Sequence, residues 1–321
     1  MTGSLPACSI VIRAYNEAQH IARLLQGIRA QTLQDVEVIL VDSGSTDATV
    51  EIASGHGAVV VHIQPEEFTF GRSLNLGIQQ ARAELIVIAS AHVYPVYPDW
   101  LERLLAPFAD PQVGLTYGKQ RGAPTTHFSE HQVFARWFPE ESQSRQAHPF
   151  CNNANAAIRR SLWQTQPYDE TLSGLEDLAW AKWLTEQGLL LSYVAEAEII
   201  HVHHEAPRQV FNRYRREAMA FKRLFPHEHF SLLDFLRLVS SNTLSDLWLA
   251  MQQGHLGKHW RSILRFRYNQ FWGTYQGYRH AGPLTWQLRQ TFYYPNGVRL
   301  LGSPTQPRNV EPIQYNDLNP S

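Results

Sequence analysis

The strongest constraint on this chain is an alternation that runs from Cys8 to Ala89, in which short apolar runs give way in turn to segments with helical spacing. Residues 8–12 (CSIVI) form an apolar strand, and residues 18–30 follow with Ile21, Leu24, Leu25 and Ile28 on one helical face. Residues 36–41 (VEVILV), a helix from about Thr46, residues 58–63, a helix over 72–81 and a strand over 85–89 continue the series. Parallel strands need crossover connections, and those crossovers cover the sheet, so this β-α-β-α-β-α-β order predicts a mainly parallel sheet flanked by helices. In such sheets ligands bind at the carboxyl ends of the strands, which makes the polar residues leaving each strand the first candidates for function.

Length and composition bound the rest. With 321 residues and 44% hydrophobic content, the chain suits one large domain or a domain with an appendage. No apolar run reaches the roughly 18 residues of a membrane span, and the opening MTGSLPACS lacks the pattern of a signal peptide, so a cytoplasmic chain is expected. Two cysteines, Cys8 and Cys151, suit a reducing compartment and argue against a disulfide framework or thiolate metal site.

The net charge of -1 conceals an asymmetry: residues 1–205 carry 13 Lys/Arg against 23 Asp/Glu, and residues 206–321 carry 15 against 6. A first domain over 1–205 and a helical region over 206–305 are therefore expected, followed by a poorly ordered Pro/Asn/Gln-rich tail over 306–321. The helical region is read over 210–224, 232–252 and 260–278, the last rich in Arg and aromatic residues. It suits packing on the first domain, a homodimer contact or a peripheral membrane surface at the inner face. No nucleic-acid-binding motif accompanies the basic residues.

Several rim segments carry chemistry. After the first strand comes Arg13-Ala14-Tyr15-Asn16-Glu17, and after the second DSGSTD, where Asp42 aims an acceptor at the rim, Gly44 permits a tight turn and Ser45 or Thr46 can cap a helix. The fourth strand ends at Ser90-Ala91-His92. Asn153 and Asn155 precede a short strand and offer the donors and acceptors that sugar hydroxyls need, although ordinary turns use amides equally. Trp137, Trp163 and His148 could add stacking faces for a sugar ring.

The segment IVIRAYNEAQHIARLLQGIRAQTLQDVEVILVDSGSTDATVEIA closely resembles the opening of family 2 glycosyltransferases, inverting enzymes with the GT-A fold. The resemblance extends over about residues 7–205, through FGRSLNLGI and the late pair Glu176-Asp177. It implies transfer of a sugar from a nucleoside diphosphate, UDP by preference, to a hydroxyl acceptor, with a surface glycan as the expected product. It further implies that Ala14, Tyr15, Glu17 and Asp42 line the nucleoside pocket, that Ser90 and Ala91 share the nucleotide edge, and that Arg72 lies nearer the diphosphate. Asp177 would be the base that takes the acceptor's proton, and Glu176 would orient a neighbour or touch the acceptor. Without chemistry, both acids would still favour a helix's amino end by about 0.3–1 kcal/mol.

Ser90-Ala91-His92 departs from the family's Asp-x-Asp motif, whose last carboxylate binds Mg²⁺ or Mn²⁺. A histidine suits Mn²⁺ better than Mg²⁺, and HVHHE offers His201, His203 and His204 as partners, with His203 taken as the second ligand. Some relatives of this fold bind manganese through a motif ending in His together with a later His. The alternatives are metal independence, with His92 or Arg72 neutralising the diphosphate, and a purely structural His92. A nucleotidyltransferase is disfavoured because the loop Arg13 to Glu17 has no glycine. A non-catalytic sugar-nucleotide-binding protein remains the rival reading.

Overall fold

The computed structural model describes residues 5–203, 205–280 and 310–315. The expected alternation is present as β1 (Cys8–Ala14), α1 (Ala18–Arg29), β2 (Val36–Asp42), α2 (Thr49–Gly55), β3 (Val59–His62), α3 (Phe70–Gln80) and β4 (Leu85–Ser90). Next come β5 (Val93–Pro95), α4 (Trp100–Leu105), β6 (Val113–Gly122), α5 (Phe128–Trp137), β7 (Asn155–Arg159), α6 (Arg160–Thr165), α7 (Glu176–Glu186) and β8 (Leu190–His201). Three long helices follow: α8 (Pro207–Leu224), α9 (Leu232–Gln252) and α10 (Leu256–Arg279).

The strands form a single eight-stranded sheet in the order β3-β2-β1-β4-β7-β6-β8-β5. Its first four strands are parallel, but β7 runs antiparallel to both β4 and β6, and β5 runs antiparallel to β8. The sheet is therefore mixed beyond β4. The βα repeat stops there, and strands reached by longer connections are free to return in the opposite sense.

Alternation within the strands divides the core in two. Val11, Ile39, Val41, Ile86 and Ile88 face α3 and α7, where they meet Leu74, Ile78, Trp180 and Leu184. Their neighbours Ile10, Ile12, Leu40, Val87 and Ala89 face α1 and α4, against Ile21, Leu24, Trp100 and Leu104. Burial on both faces is why these strands read as continuous apolar runs. Gly77 marks how closely α3 approaches, since a Cβ there would sit 2.5 Å from Val11 Cγ1.

The first half differs from expectation mainly at α2, which begins at Thr49 rather than Thr46. Thr46 is held by the preceding loop, its N–H donating to Asn16 Oδ1 at 2.7 Å, while Asp47 Oδ1 accepts the Thr49 N–H at 3.0 Å. β8 is the longest strand, twelve residues that end at His201. In the helical region, α10 packs on both α8 and α9. Arg267 ties this region together, bonding Asp246 at 2.7 and 3.0 Å and the carbonyl of Ser129 on α5 at 3.3 Å. Part of the expected tail is docked: Ile313 N–H donates to Val96 O at 3.0 Å, and Tyr315 Oη donates to Pro95 O at 2.5 Å. The remainder of 306–321 lies outside the described residues. Among the described residues no helix is long and apolar enough to cross a membrane.

Candidate active site

Strand directions decide which residues meet. The carboxyl ends of β1, β2 and β4 share one rim, and because β7 is antiparallel to β4, its amino end reaches the same rim. The last residue of β8, His201, pairs with Val93, and the Val202 N–H donates to His92 O at 3.0 Å. Segments far apart in sequence thus surround one cleft of about 710 Å³, lined among others by Ala14, Tyr15, Glu17, His92, Asn153 and Asp177.

The loop after β1 is fixed by the loop after β2. Asn16 takes a left-handed conformation (φ 54°), and its N–H donates to Ser45 Oγ at 2.8 Å. The N–H of Glu17 donates to Thr49 Oγ1 at 2.7 Å, which points Glu17 into the cleft with both its neighbours anchored. Asp42 is buried at the end of β2, where its carboxylate accepts the N–H groups of Gly44 (3.1 Å) and Ser45 (3.2 Å), and the adjacent Ser43 stands in the cleft lining.

On the opposite wall α7 begins just after Leu175, whose φ of 58° turns the chain sharply. A β-unbranched but bulky residue in this region costs on the order of 1 kcal/mol, and it places Glu176 and Asp177 on the first helical turn. Both carboxylates are buried. Glu176 is held by Arg13 Nη1 at 3.0 Å, while Asp177 accepts the N–H of Asn153 at 3.1 Å and of Leu178 at 2.8 Å. Burial, reinforced by the Glu176 charge, pushes the Asp177 carboxyl up to about 7 against the opposing pull of those two N–H groups and Arg13. A carboxylate that accepts a proton near neutrality suits a general base.

Three histidines close the third side. His92, His201 and His203 each bring one ring nitrogen to within 4.8 Å of the others. Each is oriented through Nδ1: His92 by Glu17 Oε1 (2.7 Å), His201 by Gln120 Oε1 (2.8 Å) and His203 by Glu130 Oε1 (2.7 Å). Acceptors at Nδ1 favour the tautomer that metal-binding imidazoles require, with the lone pair on Nε2; Ser90 Oγ lies 3.2 Å from His92 Nε2. The Nε2 atoms of His201 and His203 are 3.0 Å apart. Burial, aided by His203, His92 and Arg213, holds His201 well below the usual imidazole range, so it stays neutral. Burial also pulls His92 down, but the adjacent Glu17 outweighs it and the net shift is upward. A neighbouring set, Glu130, His203 and Glu205, is less suited to a cation because Arg213 already bonds both carboxylates.

Other expected residues lie elsewhere. Asn155 is fully buried: it accepts Trp100 Nε1–H at 2.9 Å and donates to Ala197 O at 2.8 Å and Lys119 O at 3.3 Å, so it locks strands and is not an acceptor contact. Ala91 is packed into the core on the α1 side and has no side-chain access to a nucleotide. Arg72 pairs with Glu170 at 3.3 Å and Glu67 at 3.4 Å, outside the cleft lining. Trp163 is buried with its indole N–H on Asn75 Oδ1, whereas Trp137 and His148 line a separate recess of about 340 Å³. His204 lies outside the described residues.

The cleft also contains residues that sequence reasoning passed over. Gln209, Asn212, Arg213, Arg216 and Glu217 project into it from α8, and Phe70 stacks against the guanidinium groups of Arg13 (4.7 Å) and Arg216 (4.9 Å). A signal for α8 exists in hindsight: these polar residues recur at helical spacing, a polar stripe on a face that packs against the first domain.

Residues 9–165 match the sequence profile of glycosyl transferase family 2. The chain is similar to the O-antigen chain rhamnosyltransferase RfbN of Salmonella typhimurium, 28% identical over 220 residues that cover 64% of this chain and 69% of that protein. It is similar also to glycosyltransferase AglE of Haloferax volcanii, 27% identical over 217 residues, 64% of this chain and 70% of that protein. Among solved structures, mannosyltransferase PcManGT from Pyrobaculum calidifontis, in complex with GDP-Man and Mn²⁺, superposes with a TM-score of 0.58 at 19% identity, over 84% of this chain and 86% of that one.

Proposed function

We propose that this chain, whose residues 9–165 match glycosyl transferase family 2, is an inverting glycosyltransferase that moves a sugar from a nucleoside diphosphate to a glycan hydroxyl, with Asp177 as the base. The observation that carries this reading is the position of Asp177, buried on the first turn of α7 yet lining the same cleft as Tyr15, Glu17 and the histidine cluster. A single displacement needs a base on the acceptor side of the anomeric carbon and positive charge near the departing diphosphate. Asp177, oriented by two N–H groups, supplies the first, and Glu176, neutralised by Arg13, adds less repulsion than a bare carboxylate would.

For the second requirement the three imidazoles fit a first-row transition ion such as Mn²⁺ better than Mg²⁺, which demands oxygen ligands. Such an ion, when bound, supplies the positive charge that the diphosphate leaving group needs. His92, His201 and His203 would hold it, and Glu17, Gln120 and Glu130 set their orientation. The fold neighbour's Mn²⁺ and GDP-Man support a metal-assisted nucleotide-sugar reaction. The name of the Salmonella relative favours a rhamnosyl donor and an O-antigen-like acceptor, with UDP, dTDP and GDP sugars as the nucleotides to compare.

Thermal-shift titration of these sugar nucleotides with Mn²⁺, Mg²⁺ or chelator tests the reading. Stabilisation by one sugar nucleotide that needs Mn²⁺ is expected. Equal stabilisation with chelator would remove the metal from the proposal, and no response to any nucleotide sugar would remove the donor class.

A further inference from the structure

Most of the large apolar side chains that stand exposed among the described residues belong to α9 and α10. On α9 these are Leu232, Leu233, Leu236, Leu244, Trp248 and Met251, with exposures from 51% to 73%. At 100° per residue all but Leu232 fall within about a third of a turn of one another, on the side away from the buried Phe235 and Asp246. On α10 Trp260, Leu264 and Tyr268 repeat every fourth residue and are likewise 42–50% exposed. This is an apolar face turned outward, where a soluble helix ordinarily places charge.

Its charge is one-sided. α10 contains no Asp or Glu, while Lys258, Arg261 and Arg265 are exposed beside its apolar stripe, and the Arg261 guanidinium lies 5.0 Å from the Trp260 ring centre. On α9 the exposed Arg237 joins them; Asp246 is buried and neutralised by Arg267, leaving Asp234, tied to Ser231, as that helix's other acid. The buried Arg267 contacts also hold the two helices in place, so the face is presented as a unit.

We propose that the outer faces of α9 and α10 dock on an anionic phospholipid bilayer. Leucine, methionine and tryptophan would enter the headgroup boundary, while Lys258, Arg261 and Arg265 meet lipid phosphates. A second copy of the chain is the competing occupant, but it would bring the same cations against themselves, whereas an anionic surface complements them. The proposal does not depend on the transfer chemistry and is tested without donor or acceptor.

The measurement is co-sedimentation of the full chain with vesicles of phosphatidylcholine alone or mixed with phosphatidylglycerol. Binding to the mixed vesicles, weakening as salt is raised, is expected. Leu244→Ser and Trp248→Ser should each lower partitioning about tenfold, and Arg261→Gln and Arg265→Gln about fivefold each with a shallower salt dependence. These side chains are exposed, so circular dichroism and melting should be unchanged. Absence of binding, or binding that the Leu244→Ser/Trp248→Ser variant retains, would overturn the proposal. A dimer in analytical ultracentrifugation that this variant dissociates, without vesicle binding, would assign the face to a second copy instead.

Discussion

Asp177 serves two ends that pull against each other. Burial raises its proton affinity to the point where it can act as a base near neutrality, but the folded state then holds a charge it would rather lose. Transfer should rise with pH to a midpoint at about 7 and level off, as the ionised form becomes populated. Stability should move the other way: a carboxyl whose pKa rises from 3.8 unfolded to about 7 folded loses stabilisation as pH climbs through that window and none above it. Asp177→Asn should therefore reduce transfer by about 10²-fold or more, keep nucleotide binding, and flatten the dependence of denaturant midpoint on pH between those values. Unchanged turnover would remove the base assignment, whereas nucleotide binding with no turnover in the unaltered chain would favour the non-catalytic sugar-nucleotide-binding reading. His201→Ala should weaken Mn²⁺ binding by roughly tenfold or more in calorimetry, since its Nε2 faces the cluster. Much of the site was legible at this scale because rim loops follow strands. Asn155 was not, because an amide for a ligand and an amide for strand carbonyls have the same sequence signature.

At the level of elements, α8 joins the helical region to the cleft, and α10 braces it from behind. Gly277 permits that bracing, because a Cβ there would fall 2.6 Å from Ala218 Cβ on α8. The Arg267–Asp246 pair anchors α10 to α9, so Asp246→Ala should cost about 3–5 kcal/mol by leaving a buried guanidinium unpaired, read as a drop in melting temperature. Replacing both residues with apolar side chains of similar volume should recover most of that loss. The first seven elements could be read from the chain because each strand is apolar on both faces and each helix has its own period. β6 was hidden by its composition: VGLTYGKQRG carries three glycines and Lys119, whose charge is met by Glu198 at 2.7 Å on β8. Its lysine and glycines make β6 look like a loop, and the pairing is visible only once the two strands are side by side.

Over the whole molecule, a nearly neutral chain carries 13 basic and 23 acidic residues before position 206 but 15 and 6 after it, and the cations of the second part serve both the cleft, through Arg213 and Arg216, and the proposed lipid face. The mixed sheet performs the unifying step: its parallel half gives the donor-side loops, and the reversed β7 returns Asn153 to the same rim, where it steadies Asp177. The sheet ends at β5, the three-residue strand whose outer neighbour is the segment carrying Ile313 and Tyr315. An early stop codon placed just after α10 would strip that cover, and the Tyr94 ring, now edge-on to Tyr315 at 5.4 Å, would face water. The shortened protein should be recovered in lower yield and with a tendency to associate through the bared strand, so the segment carrying Ile313 and Tyr315 is what covers this edge of the sheet.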